Sequence, residues 1–213
     1  MKKALVVDFD GTLVEYVNSW DIIRDAFGLR KHMWGKLVLT GVMSEREFRA
    51  REIEEWRRRG ITKDRLERLF HEMPIKKGAR TILSVARERG YIIAVISQAP
   101  SFVLEMFYRL TGFNPDFEAS YRFEFDVDGF VSGICFPYTK ENGLPCKMVA
   151  AKAFAEAFGV ARENVVAVGD HINDAEMMEW AGYSIAVGPN HPRLYDVADR
   201  VIGSDLSEML GLL

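Results

Sequence analysis

Leu5-Val6-Val7-Asp8-Phe9-Asp10-Gly11-Thr12-Leu13-Val14 decides the fold of this chain. An apolar, strand-like run stops at two carboxylates spaced two apart, followed by Gly and Thr. Burying that run while leaving Asp8 and Asp10 at its tip makes sense only if the tip opens into a polar site. Carboxylates so close repel, so the site needs a cation, a proton or a charged ligand.

Outward from this stretch, short apolar runs alternate with helical patterns, which indicates an α/β fold with a parallel sheet. Strands are expected at Leu5–Val7, Ile92–Ile96 and Val165–Val168, with short ones at Ser184–Val187 and Arg200–Ile202. Helices near Ala79–Glu88 and Lys147–Phe158 stop at Gly90 and Gly159. Between the first two strands, Glu15 to Lys77 reads almost wholly helical. Ser44-Glu45-Arg46-Glu47 is a capping box that opens a helix running to near Gly60. Thr62 opens another, to about Met73, ahead of Pro74. A crossover needs only one helix, so residues 15–75 read as a cap inserted into a core of residues 1–14 and 76–213. Trp20, Trp34, Trp56 and Met43 are expected in the cap core or its underside. From Tyr121 to Ile134, aromatic and polar residues alternate about Asp128-Gly129, a short β-hairpin signature. Asp126-Val127-Asp128-Gly129 therefore reads as a turn and not as a second carboxylate pair.

Composition sets bounds. The 213 residues, 48% hydrophobic, suit one domain carrying an insert. A net charge of −3 argues against a nucleic-acid or acidic-membrane partner. Arg57-Arg58-Arg59 follows Glu52, Glu54 and Glu55 on one helix, so it reads as an ion-paired, solvated face. No apolar stretch approaches the roughly 18 residues of a membrane span. The opening Met1-Lys2-Lys3-Ala4 leads into a strand cut short by Asp8, unlike a signal peptide. Cys135 and Cys146 are too few for a disulfide framework and lack zinc-ligand spacing. A cytoplasmic protein with reduced thiols is expected.

Three polar clusters share one position. Asp8 follows the first strand, Ser97 the second, and Gly169-Asp170 the third. In a parallel α/β sheet the ligand crevice lies beyond the carboxyl ends of the strands, so these groups converge on one edge. Asp170 and Asp174 add carboxylates, and such oxygen ligands without paired Cys or His suit Mg²⁺. Dispersed ligands disfavour a calcium loop. Lys147, early in its helix after Pro145, supplies a cation that several carboxylates plus a phosphate require.

Asp8-Phe9-Asp10-Gly11-Thr12, Ser97, Lys147 and Gly169-Asp170-x-x-Asn173-Asp174 occur in the order and spacing of the four motifs of the haloacid dehalogenase superfamily, which this chain resembles. The resemblance implies a Rossmann-like, three-layer core, and the helical insert with the hairpin is similar to the phosphoserine phosphatase branch. It implies Asp8 as nucleophile, Asp10 as general acid and base, and Mg²⁺ held by Asp8, Asp170 and the Asp10 carbonyl. Gly11, Thr12, Ser97, Gln98 and Lys147 are the implied phosphate contacts, with Asn173 and Asp174 in support. The implied activity is phosphomonoester hydrolysis of a small phosphorylated metabolite, foremost phosphoserine, by a monomer or homodimer. Another small phosphate ester, or phosphotransfer to an alcohol, stays open. An Asp two residues after the nucleophile favours phosphate over halide chemistry, and intact motifs argue against a non-catalytic binding domain.

Some positions depart from that branch. Gln98 stands where Gly is common, and His171, also at a Gly position, reads as an outward-facing loop histidine. Val17 falls near an expected ammonium-binding Glu, which Glu15 could replace. In the cap, Phe48-Arg49-Ala50-Arg51 resembles a carboxylate-contacting pattern that puts Arg51 forward, with Arg49 the other candidate. Cap motion is expected about hinges near Val14–Asn18 and Pro74–Gly78.

Overall fold

Lys3–Val7 (β1) forms the middle of a seven-stranded sheet in a computed structural model that describes residues 1–29, 37, 38 and 40–213. The other strands are Tyr91–Pro100 (β2), Phe117–Phe125 (β3), Val131–Cys135 (β4), Val165–Gly169 (β5), Tyr183–Val187 (β6) and Arg200–Ile202 (β7), in the order β4-β3-β2-β1-β5-β6-β7. All neighbours are parallel except β3 and β4. Ala4 to Val7 are buried, as a strand covered on both faces requires. The fold is α/β and Rossmann-like.

Register delivers the site. Val7 pairs with Val95 of β2 and with Val168 of β5, so the residues following each emerge side by side. The Asp8 N–H extends the ladder, donating to the Val168 carbonyl at 2.9 Å.

The helices are Ser19–Phe27 (α1), Glu45–Arg58 (α2), Lys63–Leu69 (α3), Ala79–Glu88 (α4), Ser101–Thr111 (α5), Lys147–Phe158 (α6), Ala175–Trp180 (α7) and Arg193–Val197 (α8). Asn18 caps α1 by accepting from the Trp20 N–H, and the Ser44–Glu47 capping box opens α2. α4 and α6 have the expected bounds. α3 ends at Leu69, short of the expected Met73, because Phe70 leaves the helix to bury its ring against Tyr16 and Phe102. β2 runs on through Ser97 to Pro100, beyond the expected Ile96.

β3 starts at Phe117, earlier than the hairpin pattern suggested. It pairs parallel with β2 (Ala94 with Phe117) and then antiparallel with β4, turning at Asp128-Gly129. Thus the hairpin is the outer reach of the main sheet. The helical segment between β1 and α4 packs on it: the Trp56 ring lies 5.8 Å from Phe123 and 6.2 Å from Trp20. Trp20 and Trp56 are buried and Met43 half-buried, whereas Trp34 lies outside the described residues. The segment leaves and returns as paired chains, with a Val14–Ile75 bridge and bonds from Glu15 N–H to Pro74 O and from Lys76 N–H to Leu13 O. Among the described residues, no helix is long and apolar enough to cross a membrane.

Candidate active site

Asp8, the first residue beyond β1, is buried with Lys147 from the start of α6. Lys147 Nζ lies 2.8 Å from Asp8 Oδ1 and 2.7 Å from Asp174 Oδ1. The other Asp174 oxygen accepts the N–H groups of Asp170 and His171 at 3.2 and 3.0 Å. Gly169 makes room for this, since a Cβ there would fall 2.4 Å from Asp174 Cγ. Asp170 in turn accepts from Thr12 Oγ1 at 3.1 Å and Asn190 Nδ2 at 3.0 Å. Gly11 closes the arrangement: its φ is +73°, and a Cβ would lie 2.2 Å from Asp170 Oδ2.

Carboxylate oxygens of Asp8, Asp170 and Asp174 all lie within 4.8 Å of one another. Burial, then the charges of Asp174 and Asp170, push Asp8 well above the usual carboxylate range despite Lys147. Burial and Asp174 push Asp170 up to about 7. Desolvation disfavours the Lys147 ammonium, but Asp174 and Asp8 outweigh it and raise its pKa. One ammonium therefore leaves negative charge uncompensated. An all-oxygen donor set of this kind fits a hard divalent cation such as Mg²⁺.

Asp10 is oriented by Ser19, whose N–H and Oγ donate to its Oδ2 at 2.8 and 2.6 Å. Its Oδ1 is buried without a hydrogen-bond partner among the described residues. Burial raises Asp10 to about 6, against the lowering effect of the Ser19 bonds.

Asp8, Asp10 and Lys147 open into a cavity of about 270 Å³. Asp8, Asp10, Ser97 and Lys147 line one end, and Trp20, Arg24, Arg49 and Tyr121 stand around it. Gln98 and Asn173 line it as well, joined by an Asn173 Nδ2 to Gln98 Oε1 bond of 3.3 Å. His171, expected to face outward, also lines the cavity, although it is exposed.

Other expected residues fall elsewhere. Glu15 is exposed and outside the cavity lining, whereas Val17 lines it. Arg51, put forward from the sequence, is exposed and outside the lining; Arg49 takes the inward place. The Arg49 guanidinium sits 4.6 Å from the Trp20 ring centroid and 4.3 Å from that of Tyr121, and it pairs with Glu45 and Glu52. Gly11 and Thr12 back the site and are not among its lining residues: the Gly11 N–H donates to the Tyr16 carbonyl at 2.8 Å, and the Thr12 hydroxyl to Asp170. Sequence reasoning missed Ser19, Tyr121 and Asn190 as site residues. Asn190 follows β6, so the rule about strand ends that found Ser97 could have found it.

A model of the haloacid dehalogenase-like hydrolases matches residues 5–179. The chain belongs to this family. The matched span contains Asp8–Thr12, Ser97, Lys147 and Gly169–Asp174. The phosphoserine phosphatase of Archaeoglobus fulgidus is 29% identical over 205 residues, covering 96% of this chain and 57% of that protein. Phosphoserine phosphatase SerB2 of Mycobacterium tuberculosis is 30% identical, covering 93% of this chain and 47% of that one. The chain thus spans about half the length of those two relatives. A solved structure described as a phospho-aspartyl intermediate analogue of phosphoserine phosphatase superposes with a TM-score of 0.75 at 26% identity, over 100% of this chain and 99% of that one.

Proposed function

We propose that this protein is a Mg²⁺-dependent phosphomonoester hydrolase acting through an aspartyl-phosphate on Asp8, with phosphoserine as substrate. The observation that carries the reading is the joining of Asp8 and Lys147, which line the cavity together with Asp10, to the buried carboxylates of Asp170 and Asp174. The relatives named phosphoserine phosphatase support the substrate.

In the first half-reaction an Asp8 oxygen attacks phosphorus while the bond from phosphorus to the alcohol oxygen breaks. Asp10 gives that oxygen its proton. In the second, the Asp10 carboxylate takes a proton from water, whose oxygen attacks the acyl-phosphate and frees phosphate and Asp8. A carboxyl near pKa 6, held by Ser19, suits both duties. Lys147 and the Ser97 hydroxyl bind the phosphoryl oxygens, and Asn173 and Asp174 hold the surrounding groups in place. Asp8, Asp170 and the Asp10 carbonyl would hold Mg²⁺, which supplies charge compensation for those oxygens when bound. Residues 15–75 act as the cap that excludes water over a core of 1–14 and 76–213. The reading fits a cytoplasmic protein, monomeric or dimeric.

A second reading, another small phosphate ester or transfer to an alcohol acceptor, is favoured by the cavity wall. Among the described residues, Asp8 and Asp10 are the carboxylates that line it, and Val17 offers an ammonium no partner. Phosphate release from phosphoserine, phosphoethanolamine, sugar phosphates and nucleotides, with and without an amino-alcohol acceptor, separates the readings. Preference for phosphoserine supports the first. Release from none of these esters in Mg²⁺ would sink both.

A further inference from the structure

A lysine outside the four motif clusters is buried against them. Lys76 sits where the chain re-enters the core, its N–H bonded to Leu13 O at 2.9 Å. Besides Lys147, it is the lysine buried to this degree among the described residues, 7% exposed. Its ammonium donates to the Gly11 carbonyl. That carbonyl belongs to the turn pressed against Asp170, where no side chain beyond hydrogen fits.

Desolvating an ammonium is costly, and one carbonyl contact compensates it poorly. The acidic cluster behind that turn supplies the opposite charge: Asp170 lies against Gly11, whose carbonyl the Lys76 ammonium holds. Asp10 holds a proton for its acid role, so Asp8, Asp170 and Asp174, fully ionised, carry three negative charges against the two positive ones of Lys147 and Lys76, and the cluster stays net negative.

We infer that Lys76 is a positioning residue of the acidic site, fixing the Gly11 turn against Asp170 and, with Lys147, adding positive charge beside the carboxylates that would hold a divalent cation. Lys147 bonds the carboxylates from the α6 side, and Lys76 acts from behind the turn. The inference rests on the phosphatase reading for its phosphate arm.

The test titrates Mg²⁺ and inorganic phosphate separately against the unfolding temperature of the wild type, Lys76→Met and Lys76→Arg. Removing a positive charge favours the cation and disfavours the anion. Lys76→Met is therefore expected to bind Mg²⁺ about threefold or more tightly and phosphate about threefold or more weakly. Lys76→Arg, which keeps charge and donor, is expected to stay within about twofold of wild type for both. Lys77→Met, at an exposed neighbour paired with Asp205, should change neither. A merely structural lysine would lower the unfolding temperature and leave both affinities alone. That result, or two shifts of the same sign, overturns the inference. Should the Met variant not fold, Lys76→Gln carries the same readouts. A wild type without turnover would sink the phosphatase reading and leave these binding measurements intact.

Discussion

Trp20 donates its indole N–H to the Gln98 carbonyl at 2.7 Å, tying α1 to the end of β2 at the residue that follows Ser97. The bond joins the helical segment to the sheet at the cavity wall. Trp20→Phe keeps a ring against Trp56 and Tyr121 but leaves that carbonyl without its donor. A stability loss of about 1 kcal/mol in urea unfolding is expected, with a rise in KM larger than any fall in kcat. Unchanged KM would show that the bond does not order the cavity.

Asp8→Asn keeps the shape and removes the nucleophile. Phosphate release is expected to fall by about a thousandfold or more. Acid-quenched wild type, and not the variant, should retain phosphate from labelled substrate. Equal labelling of both proteins would exclude an aspartyl-phosphate on Asp8.

Gly11→Ala places a methyl group 2.2 Å from Asp170 Oδ2 in a left-handed backbone. Some combination of displaced carboxylate and strained turn must result, costing about 2 kcal/mol or more. The unfolding temperature should drop and the rise on adding Mg²⁺ should shrink. A variant with wild-type Mg²⁺ response would separate Gly11 from the cation site.

Asp10 is pushed up to about 6 and Asp170 to about 7, both chiefly by burial. A carboxyl whose pKa is higher folded than unfolded binds more protons in the folded state, so its effect on stability worsens as pH rises. The window runs from the unfolded value near 4 to about 7. In EDTA, the unfolding temperature is expected to fall between about pH 5 and pH 7.5, and saturating Mg²⁺ should flatten that slope. A metal-free protein that gains stability over this range would contradict the assignment.

Chelation gives the direct check on activity. EDTA should abolish phosphate release and excess Mg²⁺ restore it. Indifference to both would remove the cation from the mechanism.

What the sequence disclosed follows from where information is local. Strand ends in a parallel sheet share one edge, so Asp8, Ser97 and Asp170 could be brought together without coordinates. Of the two candidate arginines, the sequence puts Arg51 forward, whereas helix phase turns Arg49 to the cavity. Glu45, Arg49, Glu52 and Trp56 recur at spacings of four, three and four and form one inward stripe of α2. Three of those four are charged, so hydrophobic periodicity could not reveal the stripe. Counting back seven residues from Trp56 would have reached Arg49. Lys76 and Ser19 escaped because nothing in their neighbours marks them; each matters through a contact made by tertiary folding.

β3 carries Tyr121 beside the cavity and, two residues on, Phe123 against Trp56 and Trp20. Farther along, Lys63 N–H bonds Gly129 O at 2.8 Å and Arg57 pairs with Asp126. The helical segment is accordingly gripped by a third chain besides its own two connections. It is no detachable module. Excising residues 15–75 would strip the aromatic face of an edge hairpin, leaving a sticky sheet margin prone to self-association. Transplanting the segment onto another core would require the hairpin to travel with it.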